Sequence, residues 1–316
     1  EGPTEAVRRY SPDGIPMLFD LQLEAEAMGC ELAWSAETPP SVKTHPLENG
    51  GSLAKLPPFD LGAGRLPLAF EVTRRMKREV GGEVAIYGLL CGPFTLAMHL
   101  MGNDLFMQMY DHPDYVKAVV SYCASIGCKM AQGYIEAGAD VIAVVDPMTS
   151  QISPAHFTEF VTPYVNQIFD GVRELGRFSS LFVCGDASRN LGEMSKTTCD
   201  NLSIDENIPL SLLRDYSRTT GKSFGGNLKL TAVLLFGDED DSRLDAIRCI
   251  DVAGSAGFIL APGCDLPYAV PPRNLEAVAE MVHDSYRREI SKRTIIAKQA
   301  RSAACDLPER YDVLSH

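Results

Sequence analysis

A (β/α)8 barrel is the fold class that the sequence predicts, and three observations predict it. Short apolar runs alternate with helical runs along most of the 316 residues, the pattern of a parallel sheet with helices outside it. Seven such runs stand near residues 16, 84, 140, 179, 201, 223 and 257, one short of the number that closes a barrel. Polar residues recur where the runs stop, at Asp20, Asp146, Cys184, Asp205, Glu206, Asn227 and Cys264. That rim is where barrel enzymes place their chemistry. The first strand is expected to be missing upstream or replaced by another segment. An open doubly wound sheet is the rival fold. It is weakened by the lack of a Gly-x-Gly-x-x-Gly turn after any early strand, and neither a phosphate loop nor a Gly-x-Ser-x-Gly elbow occurs.

In chain order, residues 4–10 read as the tail of a helix and 15–19 as a strand stopping at Asp20. Residues 21–28 are helical, with Gly29 as the stop. From 38 to 64 prolines and glycines dominate, which predicts a long excursion rather than a packed element. Residues 65–80 return to helix. Residues 84–89 form a strand, and Cys91-Gly92-Pro93 is a turn whose proline starts the next helix. Segments 94–101 and 115–137 are helical, and 140–145 is a strand ending at Asp146-Pro147. Ser153 caps a helix that begins at Pro154 and runs to about residue 175. Strands 179–183, 201–204, 223–226 and 257–260 then alternate with helices 191–195, 210–219 and 243–253. Residues 274–290 are the last well-patterned helix. Periodicity fades after Ser291, so one barrel domain is expected over 1–290, with an extension of unassigned structure over 291–316.

Composition narrows the function. Apolar residues at 45% and charged residues at 22% suit a soluble globular protein. A net charge of −13 leaves no basic excess to neutralise phosphates, which argues against a nucleic-acid partner. The basic residues Arg287, Arg288, Lys292, Arg293, Lys298 and Arg301 read as a solvated helix face. No apolar run reaches the roughly 18 residues of a membrane span, and the opening Glu-Gly-Pro-Thr-Glu does not resemble a signal peptide. Nine cysteines without a disulfide-like rhythm suit a reducing cytoplasm. Cys30, Cys91, Cys123, Cys128, Cys199, Cys249 and Cys305 need only be small buried apolar groups.

The other two cysteines end strands. Glu206 lies between them, 22 residues after Cys184 and 58 before Cys264. At the mouths of barrel strands five, six and eight, three such side chains converge. Two thiolates and one carboxylate suffice as protein ligands for a zinc ion that keeps a fourth position open, the mark of a catalytic site. A zinc-bound thiol also loses its proton near neutral pH. Plainer readings stand beside this one. Each cysteine alone can be a small buried residue, and Glu206 can cap the helix that follows it. Shared ligation requires the two Sγ atoms to lie within about 4 Å of each other. Asp20, His99, Asp146 and Asn227 are the candidates to line the mouth and position substrate. For His99 the alternative is a satisfied helix histidine, and for Asp146 a cap on the turn before Pro147.

Several stretches together carry a resemblance. They are Asp13-Gly14-Ile15-Pro16-Met17-Leu18-Phe19-Asp20 with Glu26-Ala27-Met28-Gly29 after it, and Gly92-Pro93-Phe94-Thr95-Leu96-Ala97-Met98-His99-Leu100. Others are Ala139-Asp140-Val141-Ile142 leading to Asp146-Pro147, Ile152-Ser153-Pro154 through Phe160-Val161 and Pro163-Tyr164, Gly226-Asn227, and Ala261-Pro262-Gly263-Cys264-Asp265-Leu266-Pro267. From about Asp13 to Ile290 the chain resembles the superfamily of uroporphyrinogen decarboxylase and the zinc-dependent corrinoid methyltransferases. The resemblance implies a (β/α)8 barrel of the uroporphyrinogen decarboxylase type, here without the arginine-rich N-terminal segment with which decarboxylases bind substrate carboxylates. Decarboxylases also tend to have histidine at the end of the last strand, where this chain has Cys264. That feature is similar to the methylcobalamin:coenzyme M methyltransferase-like branch.

In that branch zinc is usually held by a His-x-Cys pair on strand five and a cysteine after strand eight. Cys184 and Cys264 match, but Phe182 occupies the histidine position and cannot bind metal. The more distant cobalamin-independent methionine synthases have a glutamate between their cysteines, which makes Glu206 the implied third ligand. His99, Asp186 or the substrate are the alternatives. The resemblance thus implies a cytoplasmic methyltransferase, monomeric or homodimeric. It would move a methyl group from a methyl-corrinoid on a carrier protein to a thiol or similar acceptor activated by zinc. One rival is a metal-free decarboxylase, which needs cationic groups on a rim that is acidic here. The other is a non-catalytic corrinoid- or metal-binding relative, suggested by Phe182.

Overall fold

Seven parallel strands form the sheet that positions everything else. The computed structural model describes residues 2–36, 38–254 and 256–305. In chain order the strands are β1 Gly14–Pro16, β2 Leu32–Ala33, β3 Ser41–Val42, β4 Ala85–Cys91, β5 Val141–Val145, β6 Phe178–Val183, β7 Asn201–Ile204, β8 Ser223–Leu228 and β9 Phe258–Pro262. The large sheet runs β1-β4-β5-β6-β7-β8-β9, every pair parallel. All seven expected strands are present, and the architecture is of the (β/α)8 type. Among the described residues no strand joins β9 to β1. The edge shows the consequence: Ile259 on β9 is 41% exposed, whereas Leu202 and Ile204 on β7 are fully buried.

The register explains the interior. Leu89 pairs with Ala143, Ala143 with Ser180, and Ser180 with Asn201. The apolar half of this ring holds Leu89, Ala143 and Val145 against Phe19, Tyr87 and Phe182. The other half is polar and internally satisfied. Ser180 Oγ and Ser203 Oγ donate to Asn201 Oδ1 at 2.8 and 2.9 Å, and Asn201 Nδ2 donates to Ser223 Oγ at 3.1 Å. Polar groups cross the interior without loss because each has a partner.

Helices cover the outside, and two of them differ from expectation for local reasons. The run from Pro154 divides into Pro154–Phe160 and Thr162–Glu174. Pro163 has no N–H to continue the ladder, and its ring conflicts with the carbonyl four residues back. Ser153 caps the first piece as expected, accepting His156 N–H at 3.2 Å. The run over 274–290 divides at Asp284 into Pro272–His283 and Ser285–Cys305. There the Asp284 carboxylate accepts Arg287 N–H at 2.9 Å and starts a new helix. Residues of the expected extension up to Cys305 are therefore helical, and 306–316 lie outside the described residues. The excursion over 38–64 contains β3, which pairs antiparallel with β2, and a short 3-10 turn at Leu53–Lys55. Helix Asp104–Asp111 and the π-helical turn Leu230–Leu235 were not expected.

The long helix Pro113–Ala137 lies tight on β4. A Cβ at Gly88 would come within 2.7 Å of Tyr134 Cγ. Gly88→Ala is expected to destabilise the fold by about 1–3 kcal/mol through overpacking. Thermal unfolding checks this, and an unchanged midpoint would show that the helix can retreat freely.

Candidate active site at the strand ends

Cys184 directly follows β6, and Cys264 lies two residues past β9. Their sulfurs are 2.7 Å apart in an S–H···S contact. The loop after β7 brings them together. Asp205 accepts Gly185 N–H at 2.9 Å through one oxygen and Asn207 N–H at 2.9 Å through the other. Buried Asn227 donates its amide to the carbonyls of Asp205 at 3.2 Å and Ile208 at 2.7 Å. Gly263 rests on the same loop, where a Cβ would come 2.6 Å from Glu206 N. The turns carrying both thiols are thus pressed onto one segment.

The sulfur contact moves the two thiols in opposite directions. Cys264 is lowered from the ordinary thiol range by its hydrogen bond to Cys184. Cys184 is raised by that bond and then by burial. Asp205 and Asp265 oppose ionisation of both. The pair accordingly gives up one proton more readily than two.

Phe182 packs edge-on against Phe19, ring centroids 6.3 Å apart. With Tyr87, Leu89 and Val145 it walls the Cys184 side of the mouth with apolar surface. Glu206 does not complete a ligand set with the cysteines. Its Oε2 accepts Leu230 N–H at the start of the turn Leu230–Leu235, so it satisfies a helix-end donor instead. Among the described residues no group of three or more His, Cys, Asp or Glu is arranged to hold a metal. The donor chemistry fits zinc in part. Two adjacent thiols can supply two ligands. On one tetrahedral zinc, with bonds of roughly 2.3 Å, they would sit about 3.8 Å apart, so they would have to separate by about 1 Å.

Asp146 and Asn227 build the mouth rather than open into it. Asp146 is fully buried, and its carboxylate accepts Phe94 N–H at 3.2 Å, Thr95 N–H at 2.8 Å and Thr95 Oγ1–H at 2.6 Å. It caps helix Pro93–Met101. Burial raises it to about 6 against those bonds. Asn227 is spent on the loop after β7.

The remaining predicted residues form a second cluster after β1. Asp20 accepts Gln22 N–H at 2.9 Å and pairs with Arg65, which also bonds Glu26 at 2.7 Å and lies under the Trp34 ring at 4.8 Å. His99 is buried, and burial lowers it to about 4, so it is neutral. Glu24 is also buried. It accepts Cys91 N–H at 3.0 Å through Oε1. Among the described residues, Glu24 Oε2, His99 Nδ1, Tyr134 Oη and Arg65 Nη2 are buried without a hydrogen-bond partner. Asp20 acts electrostatically on all four groups. Glu24, Arg65 and Tyr134 were not singled out from the sequence. Glu24 left a signal there: it shares the inward helical spacing of Leu21, Ala25 and Met28.

The family model for uroporphyrinogen decarboxylase (URO-D) matches residues 1–285. The chain belongs to the uroporphyrinogen decarboxylase family. Within this family, a methylcobamide:CoM methyltransferase of Methanosarcina mazei, MtbA, is 30% identical over 275 residues, 85% of this chain and 78% of that protein. A uroporphyrinogen decarboxylase of Geobacter sulfurreducens is 25% identical over 283 residues, 86% and 80% of the two chains. A solved methyltransferase structure from Methanosarcina mazei superposes with a TM-score of 0.81 at 25% identity, covering 89% of this chain and 84% of that one. The greater identity is to the methyltransferase.

Glu24 gives the site a pH signature. Burial raises it from 4.5 to about 7, with Asp20 adding to the shift. Between those values the folded state keeps a proton that the unfolded chain releases. Its contribution to stability therefore falls as pH rises through that window. Glu24→Gln keeps an oxygen for Cys91 N–H and removes the charge. The variant is expected to gain up to about 3 kcal/mol on wild type between about pH 5 and pH 8. His99 acts with the opposite sign between about 4 and 6.5, but equally in both proteins. Denaturant unfolding at the two pH values measures the difference, and a pH-independent difference would refute it.

Proposed function

We propose that the protein transfers a methyl group from a methyl-corrinoid, presented by a carrier protein, to a small thiol bound beside Cys184 and Cys264. The observation that carries this is the pair of thiols 2.7 Å apart at the strand-end rim. Relatives at 28–30% identity named as methylcobamide:CoM methyltransferases support it.

The acceptor thiol gives its proton to solvent, and its sulfur lone pair forms the new bond to the methyl carbon. The cobalt–carbon bond breaks with both electrons remaining on cobalt. Zinc, where bound by Cys184 and Cys264, would supply the positive charge that favours a thiolate at neutral pH. The Phe19–Phe182 wall keeps water from one side of the attacking sulfur, which leaves the nucleophile less hydrated. Eight free cysteines among the described residues suit the cytoplasm, where thiols stay reduced. No helix among the described residues is long and apolar enough to cross a membrane.

Methylation of 2-mercaptoethanol by methylcobalamin, followed by the corrinoid absorbance change, tests the function. Cys184→Ser and Cys264→Ser are each expected to lower the rate by about two orders of magnitude, roughly 2.7 kcal/mol of barrier, and to lower bound zinc. Full activity in both variants would refute the dithiol role. Phe182→His places a nitrogen donor two residues before Cys184. It is expected to raise zinc content per chain, read by elemental analysis independently of turnover.

A further inference from the structure

We infer that Cys184 and Cys264 form a reversible redox site: small-molecule disulfides oxidise the pair to an intramolecular disulfide, and excess thiol reopens it. The placement of the two sulfurs carries this, independently of methyl transfer. Their contact of 2.7 Å lies nearer to a disulfide than to shared metal ligation. A disulfide bond is about 2.05 Å long, so the sulfurs need to approach by only about 0.7 Å. On one tetrahedral zinc they would have to separate by about 1 Å. Among the described residues no third His, Cys, Asp or Glu joins them in a group arranged to hold a metal, so closure breaks up no ready-made ligand set.

Access and isolation select this pair. Both thiols are half-buried, within reach of a small molecule, whereas Cys30, Cys91, Cys123, Cys199 and Cys249 are buried. Cys128 is also half-buried, but its sulfur lies against the Gln167 carbonyl at 3.9 Å. The loop after β7 holds both turns of the pair, through Asp205 to Gly185 and through Glu206 under Gly263. Whichever thiol reacts first therefore meets the second already in place, as an intramolecular partner.

The exchange balances without a metal or a further oxidant. One protein thiol loses its proton, and its sulfur attacks the small disulfide. That S–S bond breaks, and the departing sulfur leaves as a protonated thiol. The second protein thiol attacks the first cysteine's sulfur in the mixed disulfide and releases the second small thiol, again protonated. The protein dithiol is oxidised by two electrons, and the small disulfide is reduced to two thiols. The closed pair has no thiolate to offer a metal or an acceptor site. Where methyl transfer is the function, oxidation of a small thiol acceptor itself generates an oxidant of this class, so the site closes as reduced acceptor is depleted.

The test uses the whole chain, freed of metal with EDTA and incubated without oxygen with 2-hydroxyethyl disulfide. Two of the nine thiols are expected to be lost when counted in denaturant. Intact mass should show no retained 2-mercaptoethanol adduct, and digestion should yield the Cys184 and Cys264 peptides joined. Excess dithiothreitol should restore all nine. Cys128→Ser should leave the loss of two unchanged, whereas Cys184→Ser should stop at a single adduct on Cys264. All nine thiols surviving, a stable adduct on either cysteine of the wild-type pair, or a bond to any other cysteine overturns the inference. Neither thiol counting nor peptide mapping reads methyl transfer, so this site and that function fail separately.

Discussion

The loop that follows β7 is the constraint on which the site depends. Asp205 reaches back to the turn after β6, and Asn227 on β8 holds the carbonyls at both ends of the loop. Glu206 reaches forward to Leu230, while its backbone supports Gly263 from the turn after β9. One short segment thus ties four consecutive strand ends together. Each bond contributes only about 0.5–1.5 kcal/mol net, but a buried partner left unpaired costs more than that. The network therefore fixes geometry more than it adds stability, and the geometry it fixes is the approach of two sulfurs from strands 80 residues apart.

The strands were legible in the sequence because buried parallel strands are near-continuous apolar runs, and each stopped at a residue with an unusual burden. The meeting of Cys184 and Cys264 followed from that, since parallel strands put all their C-terminal ends on one rim. The direction in which each polar residue points was not legible. Asp146, Asn227 and Glu206 were all recognisable as strand-end polar groups. Each turns toward a helix-start donor or a loop carbonyl. Those partners exist only once the helix or loop has formed, and Leu230–Leu235 has no periodicity to announce it. The breaks at Val161 and Asp284 were hidden in a similar way. A proline just inside a helix start and an aspartate between two helical runs are compatible with either one helix or two.

Phe182 shows how a single position redistributes the chemistry of such a site. An aromatic ring there pairs with Phe19 and gives the Cys184 side of the mouth an apolar surface. Charges beside an apolar surface interact more strongly than they would in bulk water. The polar cluster around Asp20 lies after β1 and keeps buried polar atoms of Glu24, His99 and Arg65 without partners.

The dithiol places one requirement on whatever binds beside it. The hydrogen bond from Cys184 favours loss of the Cys264 proton. Loss of the second proton is opposed by the resulting charge and by Asp205 and Asp265. Full ionisation therefore needs a positive partner brought in from outside, because the nearby arginine is already outnumbered by its own carboxylates. A divalent metal held by the two sulfurs would meet that need directly. Asp205 and Asp265 thus act on the ionisation of the dithiol, and neutralising either should alter thiol reactivity.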